Sequence, residues 1–442
     1  MKALRTIAVA AIALSLPLAA SAQDAKPTAT ITPYAMLHFG TYWTGGTMAA
    51  QDYPGQAVLT GPAATKPVSN GAFIESARAS RVGIRGTVDD NNWTGASLAG
   101  FVEFDFNGGQ FPGTQTATCT SASPPVCTLN SPAASTASTS WYNGLMRLRF
   151  ASVTATWKTP VGNLSVLAGQ DWSVFNGMHP EALAYYATPL FHNAGNAWRR
   201  GPQVRAAYAG NFDMLSINLA VDAITPVSTA PVDDGSGNQA RRPDLEGRLG
   251  VVVKPMPDVS VGAAVSYSNG ARRFNFLNKT QKDVDVNALG AEFDINATQY
   301  LQLKGEYYAG KGMDDAFAGI ASAGVGGIPA ASATTTTSAN YVAIRGVGYW
   351  GQAILKPIPQ VWLVGGMGQE QVNKDDLVAL AAAASTRSKN QMVTGGVLFN
   401  AGKSWRFGLE YTEDTSTYGG FGTRVKEERK AQQIALSNWV KF

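Results

Sequence analysis

The sequence predicts an all-β protein, a transmembrane antiparallel up-and-down β-barrel of about sixteen strands. Three observations predict this fold. Short segments of alternating apolar and polar residues recur along the chain, the connections between them alternate between short and long, and the last segment ends in an aromatic residue. Alternation with a period of two indicates strands with one apolar and one polar face.

The composition of the 442-residue chain agrees with this class. Charged residues make up 15%, hydrophobic residues 45% and aromatic residues 10%. Soluble globular proteins carry about 25% charged residues, and disordered chains are poor in aromatic and β-branched residues. The formal net charge of +4 is small and spread along the chain. That distribution excludes the basic stripe of a protein that binds nucleic acid.

The first element, residues 1–22, is predicted to be a secretory signal peptide. A short basic start precedes an apolar run from Ile7 to Leu18 and a small-residue cleavage site, Ala20 to Ala22. The apolar run is shorter than the ~20 residues that a membrane-spanning helix needs. We expect the leader to be removed on export, and residues 23–442 to form a single barrel domain.

The strands are predicted from their alternation and from the connections between them. Clear alternation occurs around Val82 and Ile84, Leu215 to Leu219, Val284 and Val286, Leu301 and Leu303, and Trp405 to Leu409. Seven connections are tight and several contain Pro, Gly or Asn: 89–92, 159–163, 210–213, 254–258, 296–299, 356–360 and 400–403. Eight are mostly longer and rich in small residues: about 44–72, 107–142, 173–197, 224–242, 270–281, 310–338, 371–387 and 416–425. Short periplasmic turns at one rim and long extracellular loops at the other are typical of outer-membrane barrels.

The last strand is an independent indication of the same fold. Ile434, Leu436, Val440 and the terminal Phe442 lie on one face, with Asn438 as the polar exception. We expect this face to meet lipid. The aromatic end is similar to the assembly signal of outer-membrane barrels, so the barrel-assembly machinery is an expected partner of Phe442.

Arginines on alternate strands are the candidate pore residues. A barrel of this size leaves an aqueous lumen, whose inward charges set selectivity. The arginines that flank the third long loop, with one glutamine among them, are Arg81, Arg85, Arg147, Arg149, Arg199, Gln203 and Arg205. Strands two apart lie ~10 Å apart across the wall, so we predict one inward ladder of guanidinium groups. The alternative is a set of rim or assembly arginines paired with acids.

The acidic candidates near this ladder are fewer, and they are Glu103, Asp105, Asp171 and Glu181. Glu181 is the only charged residue of the third loop, about 173–197, whose centre around Tyr185 and Tyr186 is apolar. We predict that this loop folds into the lumen, narrows the channel and supplies aromatic contacts. The excess of arginines favours anions. Small carboxylates are the expected solutes because the arginine fork can bind a carboxylate bidentately.

Four segments resemble the trimeric outer-membrane porins of Gram-negative bacteria, in particular the DcaP-like branch: Ser80–Arg85, Arg147–Phe150, Gly169–Phe175 and Arg200–Arg205. These segments lie within residues 76–208. Beyond them, the alternation of strands with short and long connections and the terminal Phe also match those porins. The resemblance implies a sixteen-stranded homotrimer with an inward third loop that passes small, often negatively charged solutes such as dicarboxylates. Outer-membrane lipid and lipopolysaccharide are the expected surroundings.

The cysteines and histidines do not indicate a catalytic or metal site. Cys119 and Cys127 are the only cysteines, both in the second long loop, and in an exported protein we expect them to form a disulfide. The three histidines lack metal-ligand spacing, and no nucleophile–base arrangement is readable, so we expect no metal, no cofactor and no enzymatic activity. Two other functions stay open: a substrate-specific channel with a saturable site formed by the loop tyrosines and the ladder, or a structural or adhesive barrel with a closed lumen.

Overall fold

A computed structural model of the chain describes residues 28–48, 52–53, 55–57, 71–89, 95–108, 116–119, 127–130, 145–175, 177–226, 240–275, 281–312, 325–326, 342–379 and 386–442. The predicted leader, residues 1–22, lies outside the described residues. Almost all of the described secondary structure is β-strand, as predicted.

The strands of the described residues are, in chain order, β1 (Thr28–Gly45), β2 (Ala72–Ser76), β3 (Arg81–Asp89), β4 (Ser97–Asp105), β5 (Thr116–Cys119), β6 (Cys127–Asn130), β7 (Arg147–Thr159), β8 (Gly162–Trp172), β9 (Arg200–Phe212), β10 (Leu215–Ile224), β11 (Asp244–Met256), β12 (Val259–Asn275), β13 (Gln281–Thr298), β14 (Leu301–Lys311), β15 (Val325–Gly326), β16 (Val342–Ala343), β17 (Arg345–Ile358), β18 (Val361–Val372), β19 (Arg387–Ala401), β20 (Trp405–Tyr418) and β21 (Glu427–Lys441). One short helix, α1 (Lys374–Ala379), follows β18.

These strands form one closed antiparallel barrel. Each barrel strand pairs with its neighbours along the chain, and β21 pairs with β1 from Met36 opposite Lys441 to Gly45 opposite Gln432. Both β2 and β3 pair with β1, so they act as one interrupted strand, and the wall has sixteen strands. Closure leaves no open edge, which in lipid would expose unpaired backbone groups. The predicted fold class and strand number are confirmed.

Connection lengths follow the predicted alternation. Six turns at one end join consecutive strands through two or three residues, and the seventh joins Asp89 to Ser97. The longer connections lie at the other end. Two of them contain small hairpins, β5–β6 and β15–β16. In the first hairpin Cys119 and Cys127 are register partners. The backbone is therefore compatible with the predicted disulfide, which stays a prediction.

The outer wall is apolar. Large side chains such as Ile31 (73% exposed) and Leu289 (60% exposed) point away from the barrel, whereas their neighbours along the strand face inward. Ile434, Leu436 and Phe442 share this exposed face, as predicted for the last strand. Leaving so much apolar surface in water would cost ~25 cal/mol per Å², so the belt indicates a lipid-facing surface. No helix among the described residues is long and apolar enough to cross a membrane.

The barrel interior is filled largely by the connection between β8 and β9. This connection, described for residues 173–175 and 177–199, is the inner loop. Leu183, Tyr185, Leu190 and Phe191 of the inner loop are buried against the wall. The short α1 helix lies in a different connection, where the Asp376 carboxylate accepts hydrogen bonds from Arg345.

Candidate functional site

One wall of the barrel holds the inner loop through its backbone amides. The Glu410 carboxylate accepts hydrogen bonds from the amides of Leu183 (3.0 Å) and Ala184 (2.7 Å). Glu306 accepts one from the Met178 amide at 3.0 Å. These glutamates are buried on β20 and β14. Each carboxylate therefore satisfies loop donors that are buried away from water, which would otherwise cost about 1–3 kcal/mol each.

Another part of the wall holds the same loop through its carbonyls. Arg81 on β3 donates to the Tyr186 carbonyl. Arg147 on β7 donates to the Ala187 carbonyl at 3.1 Å. The inner loop thus presents N–H groups to an acidic wall and C=O groups to a basic wall. Charged groups make stronger hydrogen bonds than neutral ones, so this polarity fixes the position of the loop across the lumen.

Glycines let the loop approach the wall closely. A Cβ on Gly368 of β18 would lie 2.2 Å from the Ala194 oxygen and 2.9 Å from the Phe191 ring. Gly195 adopts φ +100°, which side chains rarely allow. Phe191 itself has φ 64°, and its ring stacks on Trp350 at a centroid distance of 5.7 Å. Backbone strain of this kind persists only where the surroundings over-determine it, so this part of the inner loop is tightly held.

A cavity of about 830 Å³ lies between the inner loop and the short-turn end. Three residues of short turns, Pro359, Gly402 and Lys403, contribute to its lining. Its basic lining residues are Arg81, Arg85, Arg149, Lys403, Arg406 and Lys441, and its acidic ones are Glu103 and Glu181. Aromatic rings, including Phe101, Trp172, Tyr185, Tyr186 and Trp362, form much of the remainder. The cavity is therefore both basic and aromatic.

Barrel closure brings two distant parts of the sequence to this cavity. Lys441, Met36, Arg81, Asp105 and Arg147 are successive register partners across β21, β1, β3, β4 and β7. The last strand therefore adds a cation to the same row as the predicted arginines. The sequence pattern of β3, β4 and β7 alone does not show that Lys441 lies beside these arginines.

Two of the arginines are bound into an ion-pair cluster. Arg149 is buried, and its guanidinium lies 2.6 Å from Glu103 and 3.0 Å from Asp105. Arg147 also binds Asp105, at 2.6 Å. A register shift between Glu103 and Phe104 leaves Arg149 as the extra residue of a β-bulge. Arg147 and Arg149 face inward together because they are two residues apart on the strand, and they share the Asp105 carboxylate. The bulge brings the next residue, Phe150, to the same side of the wall as Arg149, and both line the cavity.

Arg85 and Lys441 lie against aromatic rings and are not paired with any carboxylate of the described residues. The Arg85 guanidinium lies over the rings of Phe101 (5.0 Å) and Tyr34 (5.4 Å), and the Lys441 ammonium lies 4.2 Å from the Trp439 ring. Among the described residues neither has an acidic side chain within ion-pair distance. Cation–π contacts orient these groups without neutralising them, so both charges act on the cavity.

The remaining predicted arginines do not join this group. Arg199 is buried, and its guanidinium lies 3.0 Å from Asp244 and 3.5 Å from Glu246, both on β11. The six arginines therefore form separate clusters rather than the predicted single ladder. The count of nearby acids is also corrected, because Asp244 and Glu246 compensate Arg199 from one later strand, β11.

Gln203, Arg205 and Asp171 lie at the junction of β8, β9 and the inner loop. The Gln203 amide donates to the carbonyls of Asp171 (3.0 Å) and Trp172 (2.9 Å). Arg205 donates to the Gln203 side chain at 3.1 Å and lies 4.0 Å from the Asp171 carboxylate. None of the three lines the 830 Å³ cavity. Their contacts support the entry of the chain into the inner loop, and a pore role for them stays a prediction.

Several lining residues were missed in the sequence, among them Arg406, Lys441 and His179. Arg406 alternates with the outward Trp405 and Phe407, so its inward direction was readable, but its neighbours were not. Lys441 becomes a lining residue only through barrel closure. The His179 ring lies against that of Trp172, with centroids 4.5 Å apart and planes tilted by 53°, and burial lowers the pKa of His179 from 6.5 to about 4. No group of three or more His, Cys, Asp or Glu side chains in the described ranges is placed to hold a metal ion.

Comparisons with known proteins support the fold. No protein-family model and no curated protein matches the chain. Among solved structures, the outer membrane channel DcaP of Acinetobacter baumannii is 16% identical and superposes with a TM-score of 0.64, over 94% of this chain and 97% of that one. OprB of Pseudomonas putida, in its high-pH structure, is 10% identical with a TM-score of 0.51, over 93% and 94% of the two chains. This chain therefore has the fold of Gram-negative outer-membrane porins.

Proposed function

We propose that this chain is an outer-membrane porin through which small hydrophilic solutes diffuse passively, with a preference for anions and in particular small carboxylates. The observation that carries this proposal is the cavity beneath the inner loop, where six basic side chains face two acidic ones. A lumen lined by one sign of charge inside low-dielectric walls concentrates ions of the opposite sign.

The proposed preference for anions depends mainly on two cationic side chains of this cavity, Arg85 and Lys441. Arg149 is compensated by its two carboxylates. Arg85 and Lys441 have no such partner among the described residues, and both also line a second, neighbouring cavity of about 390 Å³. Two uncompensated charges at adjoining spaces can act in succession on one moving anion. This arrangement supports anion passage better than a barrel that merely contains many arginines.

We further propose that the chain is exported by its leader, assembles as a homotrimer and lies in outer-membrane lipid and lipopolysaccharide. The apolar outer belt supports the lipid environment. The trimer rests on the sequence resemblance to trimeric porins. Phe442 is exposed at the end of β21, where the barrel-assembly machinery could reach it before closure.

Planar-bilayer recording tests the selectivity. We expect the wild-type chain to give an anion-selective reversal potential in a potassium chloride gradient. Arg85→Gln combined with Lys441→Gln should lower the anion-to-cation permeability ratio by about two- to five-fold, as expected for partly solvated charges. Lys426→Gln removes a charge that is 58% exposed, far from the cavity lining, and should leave the ratio unchanged. Cation preference of the wild type, or an unaltered ratio in the double variant, would refute the proposal.

A substrate-specific channel is the second candidate, and the aromatic part of the cavity favours it. The Arg81 guanidinium lies 4.2 Å from the centre of the Tyr186 ring, and Tyr185 is buried beside it in the lining. Such a combination can bind a solute as well as pass it. Conductance that saturates with one solute would favour this function, whereas folded protein that never conducts would favour a closed structural barrel.

A further inference from the structure

We infer that Arg406 is the centre of a carboxylate-binding subsite and that Glu181, carried by the inner loop, occupies this subsite in the resting chain as a tethered competitor. A free carboxylate displaces the Glu181 side chain from Arg406 as it crosses the cavity. The inference rests on the proposed function, because it concerns how the same cavity takes up its anions.

Arg406 is held in place by partners other than Glu181. Its Nε donates to the Asn400 side chain at 2.5 Å. Its guanidinium carbon lies 4.4 Å from the Trp362 ring centre and 5.7 Å from that of Trp439. These contacts come from β18, β19 and β21, so they persist when the inner-loop carboxylate leaves. Arg406 is therefore a preorganised anion receptor rather than one that needs Glu181 to position it.

The backbone of Glu181 is bound to the barrel wall, whereas its side chain can move. The Gln352 side chain binds the Glu181 main chain twice, accepting from its amide and donating to its carbonyl, each at 2.8 Å. The carboxylate makes one hydrogen bond among the described residues, at 3.1 Å to Arg406 Nη1. Its side chain is 33% exposed, against 16% for Arg406. The carboxylate can therefore swing away while the inner loop stays in position.

A free carboxylate can bind Arg406 better than Glu181 does. Nε is engaged by Asn400 and Nη1 by Glu181, whereas Nη2 makes no hydrogen bond among the described residues. A diffusing carboxylate can approach Nη1 and Nη2 together and form two parallel bonds, which are stronger and more directional than one. The displaced Glu181 remains in a cavity whose other charges are mostly basic, so displacement does not leave its charge without neighbours of opposite sign.

A purely structural role for the ion pair is less consistent with these contacts. The inner loop is already bound by Glu410, Glu306 and Gln352 through its backbone. One partly exposed ion pair adds little to such an arrangement. Its place on the cavity lining, rather than within the packed part of the loop, fits a solute-binding role.

The test uses Glu181→Asp, which keeps the charge but shortens the side chain beyond reach of Arg406. Full-length barrels are recorded in planar bilayers under a potassium acetate gradient, because acetate is a small free anion with the same carboxylate group as Glu181. We expect Glu181→Asp and Glu181→Gln both to raise the acetate-to-potassium permeability ratio by about two- to five-fold, the range for a partly exposed ion pair. Arg406→Gln should lower the ratio, and Glu181→Asp should have no further effect in the Arg406→Gln background.

Two outcomes would overturn the inference. If Glu181→Asp behaves as wild type and only Glu181→Gln raises the ratio, Glu181 acts by its charge through space and does not compete for Arg406. If Glu181→Asp acts equally in the absence of Arg406, the subsite lies elsewhere. Limited proteolysis of the inner loop provides the control for a structural role, and equal cleavage of wild type and Glu181→Asp is expected.

An equilibrium measurement separates this inference from the proposed function. Folded protein in detergent is titrated with sodium acetate, and binding is followed by tryptophan fluorescence. Tighter acetate binding by Glu181→Asp than by wild type would support the subsite even if no current were observed, an outcome that would overturn only the channel function. Equal or absent binding in both proteins, together with anion-selective current, would overturn the subsite alone.

Discussion

At the residue scale, the ionisable side chains that line the cavity differ in whether their charge is compensated. Arg149 lies between Glu103 and Asp105, an arrangement in which loss of one partner strands a buried charge at a cost of about 3–5 kcal/mol. Arg85 instead has aromatic neighbours and an exposed guanidinium. Arg149 therefore stabilises the wall, whereas the Arg85 charge is available to interact with solutes.

His192 makes the packing of the inner loop dependent on pH. Its side chain is 7% exposed, and burial lowers its pKa from 6.5 to about 4. The unfolded chain therefore binds a proton at a pH where the folded chain does not, and stability falls as pH decreases from 6.5 to about 4. The full difference corresponds to about 3 kcal/mol.

Thermal unfolding in detergent across that pH range checks this expectation. His192→Asn keeps a donor near the Pro189 carbonyl, which the His192 ring contacts at 3.0 Å, but cannot be protonated. We expect the variant to lose less stability on acidification than the wild type. An identical pH profile for both proteins would show that His192 does not carry the effect.

At the element scale, the inner loop takes its position from the wall rather than from its own secondary structure. Its amides bind acidic side chains of one wall, and its carbonyls bind basic side chains of the other. The residues of the loop that the structure describes, 173–175 and 177–199, form no regular helix or strand that could hold its shape alone. Single wall residues should therefore control the order of the whole loop.

Glu410→Ala tests that control. Removing the carboxylate leaves the amides of Leu183 and Ala184 without an acceptor, at about 1–3 kcal/mol each. We expect chymotrypsin to cleave the folded variant at Tyr185 or Tyr186 faster than it cleaves the wild type. Glu410→Gln retains an acceptor oxygen and should stay protected. Glu413→Ala on the same strand, where the side chain faces Lys430 and Gln432, should be cleaved like the wild type.

At the scale of the whole molecule, closure and the apolar belt depend on each other. The pairing of β1 with β21 removes the last open edge, so all sixteen strands can lie in lipid without unpaired backbone groups. The outward side chains are apolar because they face lipid rather than water. A charge on this surface should therefore cost more at the centre of a strand than at its end.

Arginine substitutions at two outward leucines test the depth of the belt. Leu289 lies at the middle of β13 and Leu245 at the start of β11, with similar exposures of 60% and 56%. Leu289→Arg should lower the free energy of unfolding in lipid vesicles by about 2–4 kcal/mol, and Leu245→Arg by about 0–1 kcal/mol. Urea titration followed by the heat-dependent gel mobility of the folded form measures both. Equal effects at the two positions would contradict a lipid-facing belt.

The barrel, its sixteen strands, the two kinds of connection and the outward direction of residues such as Leu436 could all be predicted from the sequence alone. These are local properties, because the period of two and the turn residues act within each strand or between neighbours. Three contacts became visible only in the folded chain: Arg199 with Asp244, Lys441 in the row of Arg81, and Arg406 with Glu181. Those contacts depend on register, on closure of the first strand against the last, and on the path of the inner loop, none of which leaves a periodic signal in the chain.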